Sequence, residues 1–110
     1  MSERARNIGV NEALFRAVNE QIESLNNHHL RGPGDMQIVC ECGNPQCVER
    51  LPVSTEEYER ARKDARRFLV APGHVEPDYE VVLEEHPKYH IIEKIHAEPE
   101  QIAEATDPRS

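Results

Sequence analysis

Hydrophobic positions along the chain change period from segment to segment, and each period predicts an element. In residues 9–26, GVNEALFRAVNEQIESLN, the positions Leu14, Phe15, Val18, Ile22 and Leu25 recur at helical spacing, with Glu12, Arg16, Glu20 and Glu23 on the other side. This predicts an amphipathic helix whose apolar stripe packs on its own domain, with a partner as the alternative cover. Residues 26–35 read as a loop broken at Gly32-Pro33-Gly34. MQIVC (36–40) and VERLPV (48–53) read as the two strands of a hairpin, with Pro52 confined to the end of the second.

Ser54 and Glu57 have the spacing of a capping box, and Val53 and Tyr58 that of the hydrophobic staple around it. A helix is therefore expected through EEYERARKDARR, to about residue 67. FLVAP (68–72) reads as a buried strand ended by Pro72-Gly73. Pro77 suits the first turn of another helix, in which Tyr79, Val82, Leu83 and His86 would share a face before Pro87 stops it. YHIIEKI (89–95) reads as a strand, and one helical turn is expected after Pro99. The predicted class is α+β: one domain over residues 1–96, with an N-terminal helix, a cysteine-bearing hairpin and a small mixed sheet covered by helices. Residues 97–110 are expected to form an acidic, largely flexible tail.

Composition sharpens this picture. Of 110 residues only 37% are hydrophobic and 5% aromatic, while 31% are charged, so the core is thin. Small cores of this kind gain from a staple such as a metal site. The net charge of −8 is concentrated at the end: residues 71–110 hold 3 basic and 10 acidic groups. That sign disfavours broad nucleic-acid binding. No apolar run approaches the roughly 18 residues of a membrane span, and the N-terminus lacks the apolar core of a signal peptide. A cytoplasmic protein is expected, and in a reducing compartment clustered cysteines favour metal or redox chemistry over disulfides.

All three cysteines lie within VCECGNPQCVER (39–50). Cys40, Cys42 and Cys47 follow C-x-C-G-x3-C, where Gly43 lets the backbone turn its amides toward the sulfurs. Three thiolates on one tight loop supply a triangular face for Zn2+, whose structural sites commonly take three cysteines and one histidine. Among six histidines His74 ranks first as the fourth ligand. It follows Gly73 at the end of a predicted rigid strand, where a ligand loses little entropy on binding. His28 and His29 are reserve candidates, and His86, His90 and His96 read as ordinary surface or core-edge residues. A loop of unliganded thiols, an iron–sulfur cluster closed by a histidine, and copper(I) remain as rival readings.

VCECGNPQC, STEEYERARKDARRFLVAPGH and HIIEK, with NEALFRAVNEQI before them, resemble small uncharacterised actinobacterial proteins that share a cysteine turn and a Pro-Gly-His. The resemblance covers most of residues 5–95. It implies a metal-binding module and no particular activity.

No catalytic constellation accompanies the thiols. Three thiolates donate enough charge to make a zinc ion a poor Lewis acid, even with Glu41 nearby as an imaginable base. Neither H-E-x-x-H, a phosphate-binding loop nor a nucleophile elbow occurs. The leading expectation is a non-catalytic zinc-knuckle adaptor or regulatory module acting on a protein partner. A zinc-thiolate redox sensor is the first alternative. The second is a nucleic-acid-binding ribbon using Arg60, Lys63 and Arg67, spaced to share one side of the middle helix.

Overall fold

The computed structural model describes residues 3–28, 35–95 and 97–109, except for the side chains of residues 5, 27, 28, 35 and 97–100. The elements run α1 (Glu3–His28), β1 (Asp35–Val39), β2 (Arg50–Ser54), α2 (Thr55–Arg62), β3 (Arg67–Val70), β4 (Glu80–Glu85), β5 (His90–Lys94) and α3 (Ala97–Ala105). This is the α+β arrangement that the pattern predicts. The strands are divided between two antiparallel sheets rather than gathered in one mixed sheet. β1 pairs with β2, Met36 opposite Val53 and Ile38 opposite Leu51. β5 lies between β3 and β4 in the second sheet, antiparallel to both. Connections of a few residues suit such pairing, whereas parallel strands need crossovers of about a dozen residues or more.

The core joins the two sheets through Ile38, Leu51, Val53, Tyr58, Phe68, Leu69, Val70, Ile91 and Ile92, all buried. Val53 and Tyr58 are both in it, and the capping box between Ser54 and Glu57 is made in both directions, at 2.9 and 3.1 Å. Glu57 also accepts a short hydrogen bond from the Tyr89 hydroxyl, which ties the start of α2 to the sheet.

Two expected helical segments are corrected. Residues 80–85 form strand β4, not part of a helix begun by Pro77. Glu80 is buried beside Lys94 and Val82 lies opposite Ile92, while Val81 and Leu83 face outward, a period of two. The β-branched pair Val81-Val82 and the available edge of β5 favour the strand. Pro77 instead sits in a turn where the amides of Tyr79 and Glu80 both donate to the Glu76 carbonyl at 2.9 Å. α2 ends at Arg62, with Lys63 as its cap. The Asp64 carboxylate accepts from the Arg66 amide at 2.9 Å, and the Arg67 amide donates to the Asp64 carbonyl at 3.0 Å, turning the chain into β3. Arg67 is therefore a strand residue paired with Glu93 at 3.3 Å, and Arg60 pairs with Glu84 at 3.0 Å. The basic strip is not one helix face.

The largest departure concerns α1, whose amphipathicity is turned inside out. Glu12, Arg16, Asn19 and Glu23 are buried, while Leu14, Val18 and Leu25 are 59%, 39% and 58% exposed. Only Phe15 and Ile22 of the stripe are partly buried. Each of these four inward side chains meets another part of the chain, Glu12 through Lys94 and Glu23 through Arg109. The Arg16 guanidinium lies 4.8 Å from the Phe68 ring centre and donates to the carbonyls of Ala65 at 2.6 Å and Ala103 at 2.8 Å. It thereby satisfies carbonyls in the last turn of α3 and just beyond α2, which lack helical partners. Asn19 exchanges hydrogen bonds with the backbone of Val39, both at 2.8 Å.

The end of the chain holds more than the single helical turn expected. α3 spans nine residues, and its Ile102 packs on Gly9 of α1, where a Cβ would lie 3.2 Å from the Ile102 side chain. Beyond it Arg109 binds Glu20 at 3.1 Å, Glu23 at 3.1 Å and Glu59 at 2.5 Å. Burial, then the neighbouring Glu59 carboxylate, raises the Glu23 carboxyl from 4.5 to about 7. A carboxyl raised in the folded state contributes stability that is full below its unfolded value and is lost as pH rises through its folded value. Glu23→Gln is therefore expected to flatten the dependence of the urea midpoint on pH between about 4.5 and 7. An unchanged slope would refute this assignment.

Candidate metal centre

β1 delivers Cys40, whose amide extends the hairpin ladder to the Glu49 carbonyl at 3.1 Å. The next residue leaves that sheet for the other: the Glu41 amide donates to the Leu69 carbonyl at 2.8 Å, and the Ala71 amide donates to Cys40 Sγ at 3.1 Å. The knuckle thus lies against the end of β3. Asn44 closes the loop, its side chain accepting from the Gln46 amide at 2.9 Å and its carbonyl from the Cys47 amide at 3.1 Å. From α1, Asn11 donates to the Gly43 carbonyl at 3.1 Å. Gly43 is required by close approach, since a Cβ there would lie 2.4 Å from Ile8 Cγ2.

His74 arrives from the far side of the knuckle. Its amide donates to the Ala71 carbonyl at 3.0 Å, and Gly73 before it has φ +84°, a conformation open to glycine without strain. The turn aims the ring at the thiols: His74 Nδ1 is 3.5 Å from Cys40 Sγ and 3.6 Å from Cys47 Sγ. The ligand atoms of Cys40, Cys42, Cys47 and His74 all lie within 4.8 Å of one another, so the four residues are positioned to bind one metal ion. The predicted set is brought together without omission. His86 is elsewhere, stacked on Tyr89 and 2.9 Å from Glu84, and His90 lies on β5 opposite Val70. His29, His96 and the side chain of His28 lie outside the described residues.

The electrostatics of the cluster suit a cation. The Cys40 thiol donates to Cys42 and is buried, both of which hold it far above the ordinary thiol range. Cys42, accepting from Cys40 and from the Asn44 amide, is lowered to about 5. Burial raises Cys47, against the pull of the Glu49 amide. A metal must displace the protons held on Cys40 and Cys47, so its affinity rises with pH. Amides of Ala71, Asn44 and Glu49 each point at one sulfur and would share the charge of three thiolates. A cavity of about 220 Å³, lined by Cys42, Asn44, Gly73, His74, Val75 and Glu76, connects the cluster to solvent.

Sequence reasoning missed what Glu41 does. It is fully buried between two ligands and is held by Arg62 at 2.6 Å, Asn19 at 2.7 Å and the Leu69 amide at 3.0 Å. Both oxygens are thus committed to a buried network that joins the knuckle to α1, α2 and β3. No spacing in the sequence marks Asn19 or Arg62 as its partners, because they come from separate helices.

No helix among the described residues is long and apolar enough to cross a membrane. No protein-family model matches the chain, and no curated protein or solved structure matches it.

Proposed function

We propose that this protein is a small zinc-stabilised, non-catalytic adaptor or regulatory module that works by binding another protein. The observation that carries the metal is the spacing of the cluster. Zn–S bonds of about 2.3 Å and Zn–N bonds of about 2.0–2.1 Å, set tetrahedrally, place ligand atoms roughly 3.5–3.8 Å apart. The His74 contacts of 3.5 and 3.6 Å fall on that edge length. Three soft thiolates and one imidazole select zinc over hard cations. The same thiolates blunt its acidity, and the nearest buried carboxylate, Glu41, is already occupied, which supports a structural rather than hydrolytic ion. Such a site suits the cytoplasm, where free thiols persist.

Protein purified without chelator is expected to carry one zinc per chain and to lose its circular-dichroism signal when a strong chelator removes it. A chain that stays folded and cooperative without metal would overturn the structural role.

The open cavity at Cys42 and His74 favours one second reading, a zinc-thiolate redox sensor, because a small oxidant would reach the cluster there at Cys42. Peroxide would then release the zinc as a disulfide forms; retention of the ion would exclude this. Two of the three basic residues of the nucleic-acid reading, Arg60 and Arg67, already pair with Glu84 and Glu93, which weakens that reading.

A further inference from the structure

The outward face of α1 has no cover within the described residues, and its composition narrows what could cover it. From Asn7 to Leu25 the exposed residues are Asn7, Val10, Leu14, Ala17, Val18, Gln21, Ser24 and Leu25. At about 100° per residue these fall within an arc of roughly 120°. No charged side chain is exposed in that stretch, in a chain that is 31% charged. Glu12, Arg16 and Glu23 point the opposite way, into the domain, and Glu20 is half-buried against Tyr58 and Arg109. The helix cannot roll to bury the stripe, because Arg16 and Asn19 are bound to the carbonyls of Ala65, Ala103 and Val39.

We propose that this face is a dimer interface and that its occupant is the same face of a second copy, packed antiparallel about a twofold axis near Ala17 and Val18. The inference goes beyond the metal reading and stands on α1 alone. Three observations select a second copy. A chain of net charge −8 repels its own copies wherever charges meet, and this long face is free of charge. In an antiparallel pairing six of its eight exposed residues meet across the axis, Val10 with Leu25, Leu14 with Gln21, and Ala17 with Val18, with the small Ala17 at the crossing where backbones come closest. A lipid surface is disfavoured, because membrane-lying helices carry Lys and Arg along their polar border and this chain is acidic. An isologous pairing also removes from water the apolar groups that the domain leaves out, such as Leu14 and Leu25 at 59% and 58% exposure. The face is about 27 Å long at 1.5 Å per residue. Such an interface is at the small end of specific ones, consistent with association in about the micromolar range.

Sedimentation equilibrium of the full-length, metal-loaded protein tests this over about 1–500 µM, a range that spans micromolar affinity. The mass is expected to double across it. Leu14→Glu, at an exposed position, is expected to leave a monomer at every concentration with its metal content and far-ultraviolet spectrum unchanged. Adding Gln21→Lys to the same chain should restore the dimer, since residue 14 of one copy faces residue 21 of the other. A wild type that stays monomeric overturns the proposal. So does a dimer that survives Leu14→Glu, or one in which Gln21→Lys fails to rescue it. Association only with a different protein would equally overturn it.

Discussion

His74→Ala is expected to release the metal and to lower stability about as much as Cys47→Ser does. Among the described residues two points of the chain meet at the cluster: the loop from Cys40 to Cys47 and the turn carrying His74 after β3. An ion held there would close the path from the hairpin through α2 and β3. Metal affinity at such a site is folding free energy, about 10–16 kcal/mol for structural zinc in small peptides at neutral pH. A domain of this size has roughly 5–15 kcal/mol in total. Loss of one ligand leaves little margin, so both variants should unfold at or below room temperature or retain only weakly bound zinc. His86→Ala and His90→Ala should keep the full metal content. Metal analysis paired with thermal melts decides the matter, and stoichiometric zinc in the His74→Ala protein would disprove the ligand assignment.

Lys94→Met should be the most damaging substitution away from the metal. Lys94 is 1% exposed, and its ammonium group touches the carboxyls of both Glu12 and Glu80, each wholly buried. Burial, and then Glu80 beside it, hold the Glu12 carboxyl well above the usual range, against the attraction of Lys94. Removing the cation leaves two buried carboxyls facing each other. Breaking a buried charge group in this way costs about 3–5 kcal/mol. Glu12→Gln should be far milder, because a carboxyl whose folded value is raised already favours the neutral form. The sign of the pH dependence follows. Carboxyls deprived of their cation are tolerated only when protonated, so the Lys94→Met defect should shrink as pH falls toward about 5 and grow toward about 8. Equal defects in urea melts at the two pH values would rule out this account.

Local chemistry made much of the site legible beforehand. The C-x-C-G-x3-C loop and the Pro-Gly-His turn are short stretches whose geometry depends on neighbours in sequence. Ligation by three thiols and an imidazole is also a property of residue type. The capping box at Ser54 and Glu57 and the strands on either side of the knuckle were readable for the same reason: their partners lie within a few positions. His74 could be ranked because a strand end and a glycine aim a side chain in a way that needs little else.

Tertiary structure decided the rest. Periodicity placed Leu14, Val18 and Leu25 on one face of α1, but no period says which face turns inward. That choice fell to Glu12, Arg16, Asn19 and Glu23, whose partners Lys94, Ala103, Val39 and Arg109 are 20 to 87 positions away along the chain. Buried polar groups are costly unless they find partners, and a helix that gives each of these four side chains one outweighs a helix that hides a modest apolar stripe. Residues 80–85 became a strand for a related reason, because β5 offered an open edge and Lys94 a buried partner for Glu80. By itself the sequence determined which four residues could be ranked as candidate ligands, and the capped and hairpin segments. The orientation of α1, the strand β4 and the burial of Glu41 were decided by long-range pairing, since hydrogen bonds and charges removed from water are satisfied only in the assembled fold.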